Sequence, residues 1–254
     1  MATPAEIGIL SQRILAGDPR ALARAATLAG NQPAAAEALR KSLSAHTGRA
    51  MTIGITGAPG VGKSTLVDQV TKVLRSQGKT VGIVAVDPSS PFSHGAILGD
   101  RIRMQRHHDD PGVFIRSMAS RGKSGGLAEG AREVALLLDA AGRDVVLIET
   151  VGVGQEEVEV ARAADVTVLV LVPGLGDDVQ AMKAGIMEIA DVFAINKSDM
   201  PGADRLEQEI RMMQSLGGEE ERSSAAPVRR VIASDGTGIE DLLAAIRDVF
   251  QNRK

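Results

Sequence analysis

The sequence contains no cysteine, so disulfide bonds and thiolate metal sites are excluded, and metal ligands must come from oxygen or nitrogen. That ligand set favours Mg²⁺ over zinc. Tryptophan and tyrosine are also absent and phenylalanine occurs four times, so the core must be packed from Val, Ile, Leu, Ala and Met. Stacking of aromatic side chains on nucleobases is therefore not expected.

No run of basic residues occurs, and 29 Lys and Arg against 32 Asp and Glu leave a net charge of -3. Nucleic acid is therefore not expected as a partner. No apolar stretch approaches the length of a membrane span, and residues 1–10 lack the pattern of a signal peptide. We expect a cytoplasmic protein without membrane association. A chain of 254 residues, 44% hydrophobic and 24% charged, is long enough for one α/β domain with a helical appendage.

A phosphate-binding loop is indicated by the run Gly57-Ala58-Pro59-Gly60-Val61-Gly62-Lys63-Ser64, which follows a β-branched stretch and leads into an apolar-periodic one at Thr65. Its glycines allow successive backbone N–H groups to turn towards a phosphate, and the following helix adds the positive end of its dipole. Lys63 would then reach the β and γ phosphates, and the Ser64 hydroxyl would ligate Mg²⁺. A Gly-rich turn that matches by chance is the alternative, and the strand-loop-helix context argues against it.

From residue 51 onward, strands and helices alternate, which predicts an α/β fold with a doubly wound, mostly parallel sheet. Strands are predicted at 51–56, 80–87, 113–117, 144–149, 166–172, 192–196 and 228–233. Residues 4–46 are Ala-rich with helical spacing of leucines and isoleucines, which predicts two or three short helices. We therefore expect an N-terminal helical segment at 1–48, packed against a P-loop domain at 49–254.

Acidic residues stand where two apolar strands are predicted to end. Asp87 precedes a turn-forming Pro-Ser-Ser-Pro stretch, and Glu149 precedes Thr-Val-Gly. In a P-loop protein, a carboxylate at such a position is expected to ligate Mg²⁺ directly or through water. Each one alone could instead be a helix cap or a solvated strand end.

The sequence Glu149-Thr150-Val151-Gly152 resembles the Asp-x-x-Gly switch of GTPases with Glu in place of Asp. The backbone N–H of Gly152 would contact the γ-phosphate. The next residue is Val153, where many GTPases place the glutamine that orients the attacking water. An apolar side chain cannot do this, so we expect slow intrinsic hydrolysis that a rearrangement or a partner stimulates.

A guanine-recognition motif is predicted at Asn196-Lys197-Ser198-Asp199, directly after an apolar strand. The Asp199 carboxylate can accept hydrogen bonds from both N1–H and the 2-amino group of guanine, whereas adenine would leave it unpaired. Asn196 would fasten the neighbouring loops, and the Lys197 stem would lie along the ring face. Ala233, at the end of the last strand, is placed to offer a backbone contact to the guanine oxygen. A surface turn is the alternative.

The remaining expectations concern a pair of histidines and two long connections. His107 and His108 stand near two aspartates and could be imagined as a metal pair, but adjacent helical residues do not face one site, so we expect a solvated helix end. The long connections at 116–126 and 173–191 are expected to be functional or simply solvated.

Together these motifs resemble the MeaB/ArgK family of P-loop GTPases, which are chaperones of adenosylcobalamin-dependent acyl-CoA mutases. The resemblance runs from about Ile53 to Leu243. Beyond the general GTPase signatures it includes Val86-Asp87-Pro88-Ser89-Ser90-Pro91, Gly99-Asp100-Arg101-Ile102-Arg103-Met104, Glu149-Thr150-Val151-Gly152-Val153-Gly154-Gln155 and the stretch 180–191.

The resemblance implies a GTPase that gates loading of the cobalamin cofactor onto a mutase and protects or reactivates that mutase. The implied partner is the cobalamin-binding subunit or domain, and the implied ligands are GTP or GDP and Mg²⁺. It implies a Mg²⁺ site formed by Ser64, Asp87, Asp100 and Glu149. It also implies that the loop 174–183 is a third switch, and that Arg101 and Lys183 steady charge in the transition state beside Lys63 and Gly152.

The sequence also departs from this family. It ends at Lys254, where many relatives continue into a C-terminal arm used for dimerisation, which leaves self-association open. Differences at 123–126 and 155–157, in regions expected to face the mutase, allow a partner that acts on isobutyryl or hydroxyisobutyryl thioesters instead of methylmalonyl-CoA. Two other classes compete with the chaperone. A nickel-type metal-delivery GTPase would need Cys or clustered His ligands. A P-loop kinase would not need the motifs at 149–152 and 196–199.

Overall fold

The computed structural model describes residues 3–87, 104–119, 130–150, 163–174, 187–215 and 225–253. Within them, seven strands form one sheet in which every neighbouring pair is parallel, in the order β3-β2-β4-β1-β5-β6-β7. The strands are β1 Met51–Thr56, β2 Val81–Asp87, β3 Val113–Ala119, β4 Val145–Glu149, β5 Val166–Leu171, β6 Val192–Ile195 and β7 Val228–Arg230. The predicted doubly wound parallel sheet is therefore confirmed.

Helices cover both faces of this sheet. Those in the described residues are α1 Pro4–Leu15, α2 Pro19–Asn31, α3 Pro33–Leu43, α4 Lys63–Ser76, α5 Ala131–Ala140, α6 Ala203–Ser215 and α7 Ile239–Asn252. Helices α4 and α7 pack on one face, while α5 and α6 pack on the other, because alternate residues of each strand point to opposite faces. None of the helices in these ranges is both long and apolar enough to cross a membrane.

The three N-terminal helices extend the layer that contains α5. Each begins with proline at its first position, and Asp18 caps α2 by accepting hydrogen bonds from the backbone N–H groups of Arg20 and Ala21. Their apolar faces join α5 and strands β2 and β4 in one core. At the closest point, a Cβ on Gly130 would lie 2.8 Å from the Cα of Gly30, so glycine is required there.

Aspartates tie together the amino ends of the strands. The carboxylates of Asp144, Asp165 and Asp191 accept hydrogen bonds from the backbone N–H groups of Thr80, Thr52 and Thr167, at 2.8, 2.7 and 2.8 Å respectively. Each contact joins the start of one strand to the residue that precedes its neighbour. These hydrogen bonds fix the register of β2 with β4, of β1 with β5 and of β5 with β6 at the edge opposite the P-loop.

Strand β7 is shorter than predicted. The apolar pattern predicted 228–233, but the ladder ends at Arg230. Beyond it, the backbone N–H of Ile232 donates to the carbonyl of Thr237 and forms an isolated antiparallel bridge. The chain therefore turns back on itself before α7 begins, which an apolar run alone does not reveal.

The last turn of α4 is held to the loop before β3 by a two-point ion pair. Arg75 Nε and a terminal guanidinium nitrogen donate to the two oxygens of Asp110 at 2.8 and 2.9 Å. Asp110 also accepts from the backbone N–H of Gly112 at 2.8 Å. A side chain at 112 would displace the Arg75 guanidinium, because a Cβ there would lie 2.1 Å from the guanidinium carbon. The Arg75 guanidinium, helped by this backbone contact, holds the pKa of Asp110 below its usual value.

This ion pair predicts a pH-dependent contribution to stability. Because the pKa of Asp110 is lower in the folded chain, its contribution is present above the unfolded value of about 3.9 and is lost as the pH falls through the folded value. Asp110→Asn should lower the free energy of unfolding by about 1 kcal/mol at pH 7. The difference, measured by urea denaturation, should shrink towards zero at low pH. Asp109→Asn, at the exposed neighbouring position, should change stability little at either pH.

Candidate nucleotide-binding site

The loop 57–62 lies at the carboxyl end of β1, near the middle of the sheet, and leads directly into α4 at Lys63. Gly57 and Gly62 both have positive φ angles, 142° and 94°. A Cβ on Gly57 would lie 2.3 Å from the carbonyl oxygen of Val170, and one on Gly62 would lie 2.4 Å from the side-chain nitrogen of Asn196. These two positions therefore accept only glycine, which packs the loop closely against strand β5 and the residue after β6.

The side chain of Lys63 lies across this loop. Its ammonium group donates to the carbonyl oxygens of Gly57 and Ala58 at 2.7 and 3.0 Å, and the residue is 6% exposed. The ammonium is therefore held over the concave side of the loop, next to the N-terminus of α4. Pro59 and Gly60 at the tip are exposed, and Thr65 is exposed on the first turn of α4.

Ser64 and Glu149 face each other beneath the loop. The Ser64 hydroxyl donates to Oε1 of Glu149 at 2.6 Å, and both residues are buried. Strand pairing explains the meeting, since β4 lies beside β1 and Glu149 is in register with Ile55. A buried hydroxyl and a carboxylate side by side are hard oxygen donors of the kind that Mg²⁺ prefers, so these residues fit that ion.

The other acidic candidate, Asp87, is the last residue of β2. Its strand pairs with β4 so that Ala85 lies opposite Glu149, which places the backbone of Asp87 just beyond Glu149 at the same edge of the sheet. The side chain of Asp87 lies outside the described residues. So do Asp100, Arg101, Gly152 and Lys183, together with most of the connection at 173–191.

Asn196 joins three loops at this edge. Its side-chain nitrogen donates to the carbonyl of Val61 at 2.7 Å, and its side-chain oxygen accepts from the backbone N–H of Ala233 at 2.9 Å. The residue is 3% exposed. The phosphate-binding loop, the motif after β6 and the loop after β7 are thus linked through one amide group.

The remaining residues of the predicted guanine motif turn outward. Lys197 has a φ of 53° in the left-handed region, and its ammonium donates to the carbonyl of Gly60 at 3.2 Å. Asp199 is exposed two residues later, and the backbone N–H of Ser198 donates to the carbonyl of Val231 at 3.2 Å. The Lys197 stem therefore runs from the base motif to the tip of the P-loop, while the Asp199 carboxylate is accessible to a ligand.

The expectation that His107 belongs to a solvated helix end is wrong. His107 is 6% exposed, and its Nε2 lies 2.9 Å from Oδ1 of Asp68 on α4. Burial, with the nearby Arg106 guanidinium adding to it, lowers the pKa of His107. His108 is exposed as expected. The missed signal was Asp68 itself, the one acidic residue within the apolar-periodic α4, which needs a partner once that face is buried.

Comparison with known proteins agrees with this geometry. The family model for "Methylmalonyl Co-A mutase-associated GTPase MeaB" matches residues 22–254. The chain is 49% identical over 241 residues to a Pyrococcus horikoshii protein named as a candidate GTPase, with 94% of this chain and 76% of the relative covered. It is 43% identical over 192 residues to the GTPase ArgK of Escherichia coli, with 74% and 58% covered.

Among solved structures, the crystal structure of LAO/AO transport system kinase superposes with a TM-score of 0.72 at 30% identity and covers 98% of this chain and 76% of that chain. HypB from Helicobacter pylori in complex with nickel gives a TM-score of 0.59 at 19% identity, covering 86% and 94%. At that identity the second likeness concerns the fold alone.

We predict that Asn196→Ala uncouples the loops at this edge. The substitution leaves the Val61 carbonyl and the Ala233 N–H without their partner, which should lower the free energy of unfolding by about 2–4 kcal/mol. It should also weaken nucleotide binding, measured by titration with a fluorescent nucleotide. Thr167→Val is the matched control, because that buried hydroxyl has no hydrogen-bond partner in the described part of the chain. The control should be as stable as the unmodified protein or slightly more so.

Proposed function

Because the chain belongs to the MeaB family of GTPases, we propose that it binds GTP and Mg²⁺ at the carboxyl edge of its sheet and hydrolyses GTP to GDP and phosphate. The observation that carries this proposal is the double contact of Asn196, which links the phosphate-binding loop to the base motif. One ligand with a phosphate chain at one end and a base at the other spans these two parts. A simple phosphate site would not require that link.

At the phosphate end, the proposed role of Lys63 is to bind the β and γ phosphates, exchanging its contacts with the Gly57 and Ala58 carbonyls for phosphate oxygens. The backbone N–H groups of the loop and the N-terminus of α4 add further positive potential. Ser64 and Glu149 would hold Mg²⁺, with Asp87 and Asp100 as the further acidic residues. Mg²⁺ would supply neutralisation of the charge on the phosphate oxygens.

At the base end, Asp199 would accept the N1–H and 2-amino groups of guanine, and the Lys197 stem would cover one face of the ring. The N–H of Ala233 already donates to the side chain of Asn196, so we propose that the backbone N–H of Ser234 contacts the guanine oxygen instead. The N–H of Ser234 makes no hydrogen bond within the described residues and is therefore available. Ala233 would then help to hold the side chain of Asn196 in place and would not contact the base itself.

Exchange of Asp199 tests the base assignment. Asp199→Asn replaces an acceptor by an amide, which matches the extra carbonyl of xanthine. The affinity for GDP should fall about 30-fold, equivalent to about 2 kcal/mol, while the affinity for XDP rises. Fluorescent GDP and XDP analogues measure both. Lys63→Ala should weaken both nucleotides equally, and unchanged base selectivity in Asp199→Asn would mean that 196–199 is only a surface turn.

The proposal extends to the partner. The family description names a methylmalonyl-CoA mutase-associated GTPase, and we infer that this chain gates cobalamin loading and protects or reactivates an adenosylcobalamin-dependent acyl-CoA mutase. Hydrolysis would be slow alone, because Val153 stands where a water-orienting glutamine is common. The partner's cobalamin-binding subunit would complete the site, with Gly152, Arg101, Lys183 and the switch at 174–183 as the responding elements. Methylmalonyl, isobutyryl and hydroxyisobutyryl thioesters are the candidate mutase substrates.

Steady-state hydrolysis of γ-labelled GTP, alone and with the cobalamin-binding subunit of each such mutase, tests this extension. One subunit should raise the rate at least about tenfold, since groups supplied by a partner are worth at least that much in other GTPases. An unchanged rate with every subunit would remove the mutase role and leave the GTPase. Transfer of label to an acceptor other than water would instead indicate a kinase, in keeping with the name of the transport system kinase that is 30% identical to this chain.

A further inference from the structure

Two buried threonines join the ends of β1 and β4. The hydroxyl of Thr150 donates to the hydroxyl oxygen of Thr56 at 3.2 Å, and the two residues are 1% and 0% exposed. The backbone N–H of Thr150 also donates to the carbonyl of Ile55 at 3.2 Å, one position beyond the last residue of β4, Glu149. The hydroxyl pair thus lies where both strands end, next to the start of the phosphate-binding loop.

This pair lies on the face of the sheet opposite the Ser64–Glu149 contact. Side chains of a strand alternate between the two faces, and Ile55, one residue before Thr56, packs in the core with α4. Thr56 therefore points to the α5 and α6 face, and Thr150 lies there with it. Glu149 points back towards α4, where it accepts from Ser64 at 2.6 Å. The same two segments of chain are thus joined twice, once on each face of the sheet.

The two hydroxyls are not needed for the stability of this corner. Valine has the shape of threonine and suits a strand equally well, and replacing both partners of a buried hydrogen bond by apolar groups of the same shape is nearly neutral. A hydrogen bond instead fixes a direction and a separation of about 3 Å between its two oxygens. It therefore sets the relative position of the two strand ends more narrowly than apolar contact does. Mg²⁺ requires such precision from its ligands, because it accepts only near-ideal octahedral geometry.

We propose that the hydroxyl pair of Thr150 and Thr56 positions the end of β4 so that Glu149 meets Ser64 in the geometry that Mg²⁺ requires. This rests on the proposed function, in which Ser64 and Glu149 hold the ion. Both threonine hydroxyls lie on the other face of the sheet from that pair, so neither is a ligand of the ion. They act through the strand end, and Thr150 and Thr56 are positioning residues.

Two substitutions at position 150 separate the hydroxyl from the packing. Thr150→Val keeps the volume and removes the hydroxyl, whereas Thr150→Ser keeps the hydroxyl and removes a methyl group. Thr167→Val on β5 is the control for the loss of a buried hydroxyl alone, because that hydroxyl bonds to no group in the ranges that the structure describes. The full chain is titrated with Mg²⁺ in the presence of a fluorescent, non-hydrolysable GTP analogue, and the thermal midpoint measures folding.

Thr150→Val should raise the Mg²⁺ concentration for half-maximal binding at least about threefold, without changing binding in EDTA. The shift should stay below the roughly 10- to 100-fold loss that follows removal of a direct hydrogen-bond partner of a metal ligand, since Thr150 acts through the strand end. Thr150→Ser should lower the thermal midpoint, because it leaves a small cavity, and should keep the Mg²⁺ response of the unmodified protein. Thr167→Val should keep that response as well.

The double variant Thr56→Val/Thr150→Val removes both hydroxyls together and provides a second route if Thr150→Val does not fold. Its thermal midpoint should match that of the unmodified protein, while its Mg²⁺ response should shift as in Thr150→Val. A smaller shift in either of these variants, or an equal shift in Thr150→Ser or Thr167→Val, would overturn the positioning role. Absence of Mg²⁺-dependent nucleotide binding in the unmodified protein would instead overturn the proposed function.

Discussion

The amide of Asn196 is the contact on which the arrangement of the carboxyl edge depends. Within the described residues, the loop before α4 shares no backbone hydrogen bond with the turn after β6 or the turn before α7, yet all three must be placed within a fraction of an ångström to bind one ligand. The amide solves this because it has a donor and an acceptor on opposite sides of one carbon. Its burial makes both bonds hard to exchange for water.

Helix α4 connects the carboxyl edge of the sheet to the loop before β3. Its first residues, Lys63 and Ser64, lie at the candidate nucleotide site, and its last turn is bound to the loop before β3 through Arg75. Between them, Leu66, Val70 and Leu74 pack on the sheet in the same core as α7. A helix fixed along its whole length behaves as a rigid body, so a displacement at either end is carried to the other.

The sequence was most informative where one physical requirement dominated. The strands β1, β4 and β5 are buried on both faces and are therefore continuous apolar runs, and their bounds differ from the prediction by a residue at most. The P-loop was readable because close approach of Val170 and Asn196 leaves only glycine at 57 and 62. The helical spacing of leucines and isoleucines in residues 4–46 predicted two or three short helices, and the structure has three α-helices there.

Elsewhere the deciding contact is distant in sequence, which a local pattern does not contain. The buried His107 contacts the carboxylate of Asp68, 39 positions earlier, and β7 ends early because Ile232 pairs with Thr237 across a turn. Asp110 is likewise paired with Arg75, 35 positions earlier in the sequence. Site residues on long connections were recognisable only as sequence motifs, since no periodicity constrains a loop.

Strand β7 forms one edge of the sheet, and its short length limits how another chain can pair with that edge. An edge strand offers unpaired backbone groups to which a strand of another chain can add. Here the edge is three residues long, its last residue Arg230 is held by Asp204 and Glu207 of α6, and the chain folds back immediately afterwards. Strand addition at this edge is therefore disfavoured, so the β7 side is protected against aggregation, and a partner that binds on this side would contact helices and loops.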